Sequence, residues 1–304
     1  MGNTIIDHVI SVEKLPDDGK VWVESKQKFV GGQGANAAQG MAKLGLDVAW
    51  LSRLGDDDDG HNALRHFKSC GIDTSLCIEV ARAHTMSAIV TIGRECMKRC
   101  CYMHKDERLL EYDISSHICN IDVQAFEVLY TDGHQTDLAL PVVQKATARG
   151  VPVIADIEVL DQDCRALAKL ASHVIAPLEV LQELSGEADP ERAVRALSDV
   201  EGKTVIATAG LDGSYGTSFE DQNVHHVKVR PECQAFDTLG AGDAYHAGLL
   251  AEWSSDPALG AVKASKEGLK EPWRRSGEGQ EGLKEPWSRE GIFYLLVLQG
   301  AVKA

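Results

Sequence analysis

The order of apolar and polar segments predicts an α/β protein whose mainly parallel sheet is covered by helices on both faces. Two observations carry this prediction. Strand-like apolar runs alternate with helix-like segments between residues 127 and 208, and glycine-rich turns stand where strand gives way to helix. The chain has 304 residues, 44% of them apolar and 25% charged, which suits one large domain or two smaller units.

The elements follow in order. Val21-Trp22-Val23 and Lys28-Phe29-Val30 read as strands. Residues 35–44 place Met41 and Leu44 at helical spacing and close on Gly45. Residues 48–51 read as a strand and 61–70 as a helix closed by Gly71. Residues 88–92 and 100–103 pair as a hairpin across a polar stretch. Strand 127–131, helix 137–149, strand 151–155, helix 163–171, strand 173–176, helices 179–185 and 190–199, and strand 204–208 complete the pattern. Ligands of such sheets gather at the C-terminal ends of the strands.

A net charge of −15 argues against nucleic acid or an anionic membrane as the main partner. It leaves room for a nucleotide held by local N–H groups and a metal ion. No run of 18 apolar residues occurs, so no membrane span is expected, and the N-terminus lacks the basic and apolar regions of a signal peptide. Of the eight cysteines, Cys96, Cys100 and Cys101 cluster near His104, but a second knuckle pair for zinc is missing. The cysteines therefore read as reduced thiols of a cytoplasmic protein.

Two glycine motifs carry the chemistry. In Asp237-Thr238-Leu239-Gly240-Ala241-Gly242-Asp243-Ala244 a polar turn opens into an apolar, helix-like stretch. Glycines there allow backbone conformations closed to other residues, and a helix N-terminus offers N–H groups to an anion. Asp243 would sit in the first turn with its carboxylate beside that anion. An anion cradle next to a fixed carboxylate suits phosphoryl transfer to a hydroxyl. A plain helix-capping turn would give the same short pattern with no ligand. The second motif, Gly31-Gly32-Gln33-Gly34-Ala35-Asn36, also precedes a helix. Asn36 offers both donor and acceptor to a sugar hydroxyl, or equally to nearby backbone. Asp7, after Ile5-Ile6, is a carboxylate at a strand end that can accept from two adjacent hydroxyls or remain solvated.

Together these pieces resemble the ribokinase-like sugar kinases of the phosphofructokinase B type, over about residues 2 to 255. Gly2 to Asp7 is similar to the family's first-strand exit with its substrate-binding Asp. Gly31 to Asn36 resembles the first signature, Leu54 to Gly60 the turn that follows it, Thr208 to Gly213 the nucleotide-binding loop, and Asp237 to Asp243 the second signature. The resemblance implies a three-layer α/β/α sandwich with a small β-lid from segments around 8–30 and 84–104. It implies transfer of the γ-phosphoryl group of MgATP to a hydroxymethyl group of a sugar.

By the same resemblance Asp243 is the base, and the N–H groups around Gly240, Ala241 and Gly242 stabilise the transferring phosphoryl group. Asp7, Gly31, Gly32 and Asn36 hold the sugar, with Asp132 at a strand exit as a further contact. Thr208, Gly210 and Gly213 meet the nucleotide, and Asp237 remains as a possible potassium ligand. Glu179 acts on magnesium through water, where Leu178 and Leu181 replace the polar residues of many relatives. The GGQGAN signature is ribokinase-like, whereas Asp156-Ile157-Glu158 and its surroundings resemble ketohexokinases and sulfofructose kinases, so the sugar stays open. A homodimer through the lid is implied.

Both ends depart from the family. The apolar first strand is almost absent before Gly2, which is expected to cost stability. After residue 262, Glu267 to Trp273 recurs as Glu281 to Trp287 in place of the usual helix and glycine loop. Within this tail, residues 263–304, the segment 265–290 is expected to be mobile and to leave the adenine wall open and activity insensitive to potassium, while the apolar stretch Ile292 to Leu298 could still pack as a strand or helix. An active sugar kinase and a non-catalytic sugar- or nucleotide-binding relative both follow from these features, as does a nucleoside kinase of the same family.

Overall fold

The computed structural model describes residues 1–95, 98–199, 203–217, 223–229 and 240–255. Asp237 and the repeat-bearing tail lie outside them. The chain divides into two units, Met1–Asn36 with Val48–Ile121, and Ala37–Asp47 with Asp122–Ala304.

In the first unit, β1 (Ile5–Val12) pairs antiparallel with β2 (Ser25–Gly31), which leads into helix α1 (Gln33–Lys43). β3 (Arg53–Gly55), helix α2 (Asp58–Ser69) and β4 (Ile78–Val80) follow, with β3 and β4 parallel. β5 (Ser87–Gly93) pairs parallel with β1 and antiparallel with β6 (Lys98–His104), giving a four-stranded sheet ordered β2-β1-β5-β6. The short helices α3 (Glu107–Glu111) and α4 (Ser115–Asn120) end the unit.

Residues 88–92 and 100–103 thus pair as the sequence predicts. Val21-Trp22-Val23 does not: it lies in the irregular connection between β1 and β2, with Trp22 94% exposed. A β-prone triplet with no neighbouring edge has nowhere to place its backbone hydrogen bonds.

The acidic run after β3 has a structural use. Asp57 caps α2, accepting from Gly60 N at 2.8 Å, and also accepts from Thr85 Oγ1 at 2.7 Å and Thr85 N at 3.0 Å. Burial pushes its carboxyl up, but the bonds from Thr85 and Gly60 outweigh burial and hold it below the usual range. Lys28 of β2 pairs with Asp59 of α2.

The second unit alternates strand and helix. β7 (Leu129–Thr131), α5 (Thr136–Thr147), β8 (Val153–Asp156), α6 (Gln162–Leu170), β9 (His173–Pro177), α7 (Leu178–Ser185), α8 (Pro190–Asp199) and β10 (Thr204–Thr208) alternate. β7, β8, β9 and β10 run parallel in that spatial order. β11 (Ser214–Thr217) and β12 (His225–Val227) extend the sheet antiparallel, and helix α9 (Ala241–Ser255) follows. The strands read Val153-Ile154-Ala155 and Val205-Ile206-Ala207 because both sheet faces are covered, and all six residues are at most 3% exposed.

Candidate active site

Because β7 to β10 are parallel neighbours, their C-terminal ends form one edge. Along it stand Asp132 after β7, Asp156 closing β8, Glu179 two residues past β9, and Thr208 closing β10. Asp132 is 1% exposed and accepts from His134 N at 3.0 Å. Glu179 lies in the first turn of α7 and is exposed, while Leu181 points into the core.

The loop after β10 closes on itself. Gly210 and Gly213 take φ values of +55° and +90°, and Ala209 N donates to Gly213 O at 2.8 Å. A Cβ on Gly213 would strike the carbonyl oxygen of Val227. The Tyr215 and His226 rings stack beside it with centroids 4.1 Å apart.

α9 starts from Gly240, which takes φ +75°. The first helical bond runs from Ala244 N to Gly240 O at 3.0 Å, so the N–H groups of Ala241, Gly242 and Asp243 head the helix ahead of its ladder. Asp243 sits in that first turn, 9% exposed. This is the glycine-led helix start expected from the sequence, with Asp243 in its first turn.

Beneath it lies a polar group that motif reasoning missed. His246 Nδ1 approaches Asp156 Oδ2 at 2.8 Å, and the Tyr130 hydroxyl donates to the same oxygen at 2.9 Å. Burial pushes the His246 imidazole toward neutrality, but the charge and hydrogen bond of Asp156, with the charges of Asp243 and Glu158, outweigh it and raise its pKa. Burial, then the charges of Asp156, Asp132 and Asp243, holds the Tyr130 phenol well above its usual value. Burial and Asp156 likewise raise the Glu158 carboxyl. The signal for His246 was its place three residues after Asp243, which puts both on one helix face.

The first unit gathers the other predicted contacts. Asp7 of β1 faces Phe29 in register, and its carboxylate leans over Gly31, where an added Cβ would collide with Oδ2. Burial raises the Asp7 carboxyl to about 6. Gly32 takes φ +102° and presses on the carbonyl of Asn3, so only glycine fits. Asn36 N donates to Gly32 O at 2.8 Å in the first turn of α1, and the residue is half-buried.

A parallel sheet whose carboxylate-lined edge meets a glycine-led helix defines the class of ribokinase-fold phosphotransferases. Among solved structures, the ribokinase of Arabidopsis thaliana, complexed with ribose and ATP, superposes with a TM-score of 0.73 at 20% identity, covering 97% of this chain and 96% of that one. The sequence profile of the pfkB family carbohydrate kinases matches residues 1–267, and the chain belongs to that family. It is a sugar kinase. It is 27% identical to the ribokinase of Haemophilus influenzae across 89% of this chain and 92% of that protein. It is 26% identical to the ATP-dependent ribose-1-phosphate kinase of Halopiger xanaduensis across 88% and 92%. Among the described residues no helix is long and apolar enough to cross a membrane.

Proposed function

We propose that the protein phosphorylates a hydroxymethyl group of a pentose or ketohexose, with ATP as donor and Asp243 as the general base. The observation that carries this reading is the buried Asp243 in the first turn of α9, directly after Gly240 in its left-handed conformation. Asp243 takes the proton of the attacking hydroxyl. The N–H groups of Ala241, Gly242 and Asp243 stabilise charge on the transferring phosphoryl group, at positions fixed by the helix rather than by reorganising solvent. Bound MgATP supplies that phosphoryl group. Thr208, Gly210 and Gly213 hold the nucleotide, and Glu179 orients magnesium through water.

Asp7, Gly31, Gly32 and Asn36 hold the sugar, and Asp132 contributes a further hydroxyl contact. The sugar role of Asp7 is supported by its half-buried carboxylate and by the bare Cα of Gly31 beside it. The four-stranded sheet carries the segments that the family resemblance reads as a lid. Its exposed Phe29, Ile89, Tyr102 and Met103 support association with a second copy of the chain.

The test is ADP release with MgATP over ribose, fructose, sulfofructose, tagatose phosphate and adenosine. Turnover of one sugar well above the others names the substrate. Turnover of adenosine alone makes the protein a nucleoside kinase, and binding without ADP release over the whole panel refutes the catalytic reading.

A further inference from the structure

The residues beneath the head of α9 carry more charge than proton abstraction alone requires. His246 is 5% exposed and lies one turn beyond Asp243 on the same face. Residues three apart on a helix have Cβ atoms about 5–6 Å apart. The imidazole lies against a buried carboxylate: Asp156 Oδ2 stands 2.8 Å from Nδ1, and that oxygen also accepts the Tyr130 hydroxyl.

The groups facing His246 come from every packed element. β8 and its exit bring Asp156 and Glu158, and β7 brings Tyr130, whose ring centroid is 6.4 Å away. α9 itself brings Asp243 and the neighbouring Tyr245. Asp132 acts on Tyr130, and His134 on Glu158. Asp132, Asp156 and Asp243 are buried, and Glu158 stands exposed at the exit of β8. Anions crowded in this way take up protons unless a cation lies among them. A base already protonated cannot accept the proton of a substrate hydroxyl.

We propose that His246, kept as an imidazolium by Asp156 and Tyr130, is a positioning residue that holds Asp243 ionised for proton abstraction. This rests on the reading of Asp243 as the base. His246 gives up no proton during the reaction. It acts by charge and by fixing the floor beneath the first turn of α9. A cation at this range lowers a neighbouring carboxyl by about one to two pH units. Its removal moves the carboxyl the opposite way.

The experiment is kcat/KM against pH for the wild type, His246→Gln and Asp243→Asn. In His246→Gln the acid limb is expected to move up by about one to two pH units, with activity recovering as the pH is raised above it. A purely structural role would lower the whole profile without moving its limb, and that result overturns the proposal. The imidazole of the wild type gives a second measurement that does not depend on the variant folding. Its ¹⁵N shifts are expected to show two protonated nitrogens through pH 8, and a single N–H there also overturns the proposal. Asp243→Asn separates the two levels. If it retains more than a tenth of kcat, the base assignment falls and this role with it. If it is inactive while the His246→Gln limb stays in place, only the role of His246 falls.

Discussion

Removing the charge of Asp7 should stabilise the protein at neutral pH while impairing it as a kinase. Burial raises this carboxyl from 3.8 to about 6. A folded-state pKa above the unfolded value means that the contribution to stability is fully present below about pH 4 and is lost as pH rises through 6. At 1.36 kcal/mol per unit, the ionised carboxylate costs the fold at most about 3 kcal/mol at pH 8, and about 1.4 kcal/mol of that disappears between pH 8 and pH 5. Asp7→Asn removes this pH-dependent part. Any fixed cost of placing an amide against Gly31 is the same at both pH values and cancels in the comparison. Thermal unfolding without sugar is the assay. The Tm of Asp7→Asn relative to wild type should be higher at pH 8 than at pH 5 by about 2–3 °C. An equal Tm difference at both pH values would refute the argument that burial, without a compensating partner, strains this carboxylate.

Further outcomes follow from the same geometry. Asp243→Asn should lower kcat by roughly 10²–10⁴ with sugar binding nearly unchanged, measured by steady-state kinetics and calorimetry. Asn36→Ala should raise the sugar KM much more than the ATP KM, and equal rises would count against its placement at the sugar. Gly213→Ala, forced against the carbonyl of Val227 at φ +90°, should cost about 1–3 kcal/mol in denaturant unfolding and raise the ATP KM. Asp57→Ala removes the cap of α2 together with three bonds to Gly60 and Thr85, and should cost about 2–3 kcal/mol by the same unfolding measurement.

Much of the second unit was legible because period and punctuation agree. The run from Leu129 to Thr208 alternates apolar strands with amphipathic helices, and each helix of the structure falls within about two residues of its expected place, as boundary fraying allows. The two glycine motifs were legible because positive φ demands glycine, and Gly32 and Gly240 do take it. Val21-Trp22-Val23 misled because β propensity is local, whereas a strand needs a partner edge. The spacing of His246 from Asp243 was too little to single it out, and Tyr130 carried no signal, because a histidine or tyrosine within an apolar segment looks the same whether it fills a core or meets a carboxylate. What distinguishes them is Asp156, distant in sequence and brought there by the order of β7 and β8.

The pairing of β1 with β2 has a consequence for how this protein can change. Asp7 and Phe29 occupy one face of the sheet, with Gly31 two residues along on that same face. Side chains alternate along a strand, so a slip of one residue would carry the carboxylate to the opposite face. What matters is therefore the register of β1 against β2 rather than the length of the connection from Glu13 to Glu24. Its tip, with Trp22 and Gly19 in the open, can be lengthened or rebuilt without reaching the sugar contacts. A single residue inserted within β1 itself, between Asp7 and Val12, would leave the composition of the strand almost intact and still turn the side chains on one side of it to the opposite face. Descendants of this chain are free to vary the loop and bound to conserve the count.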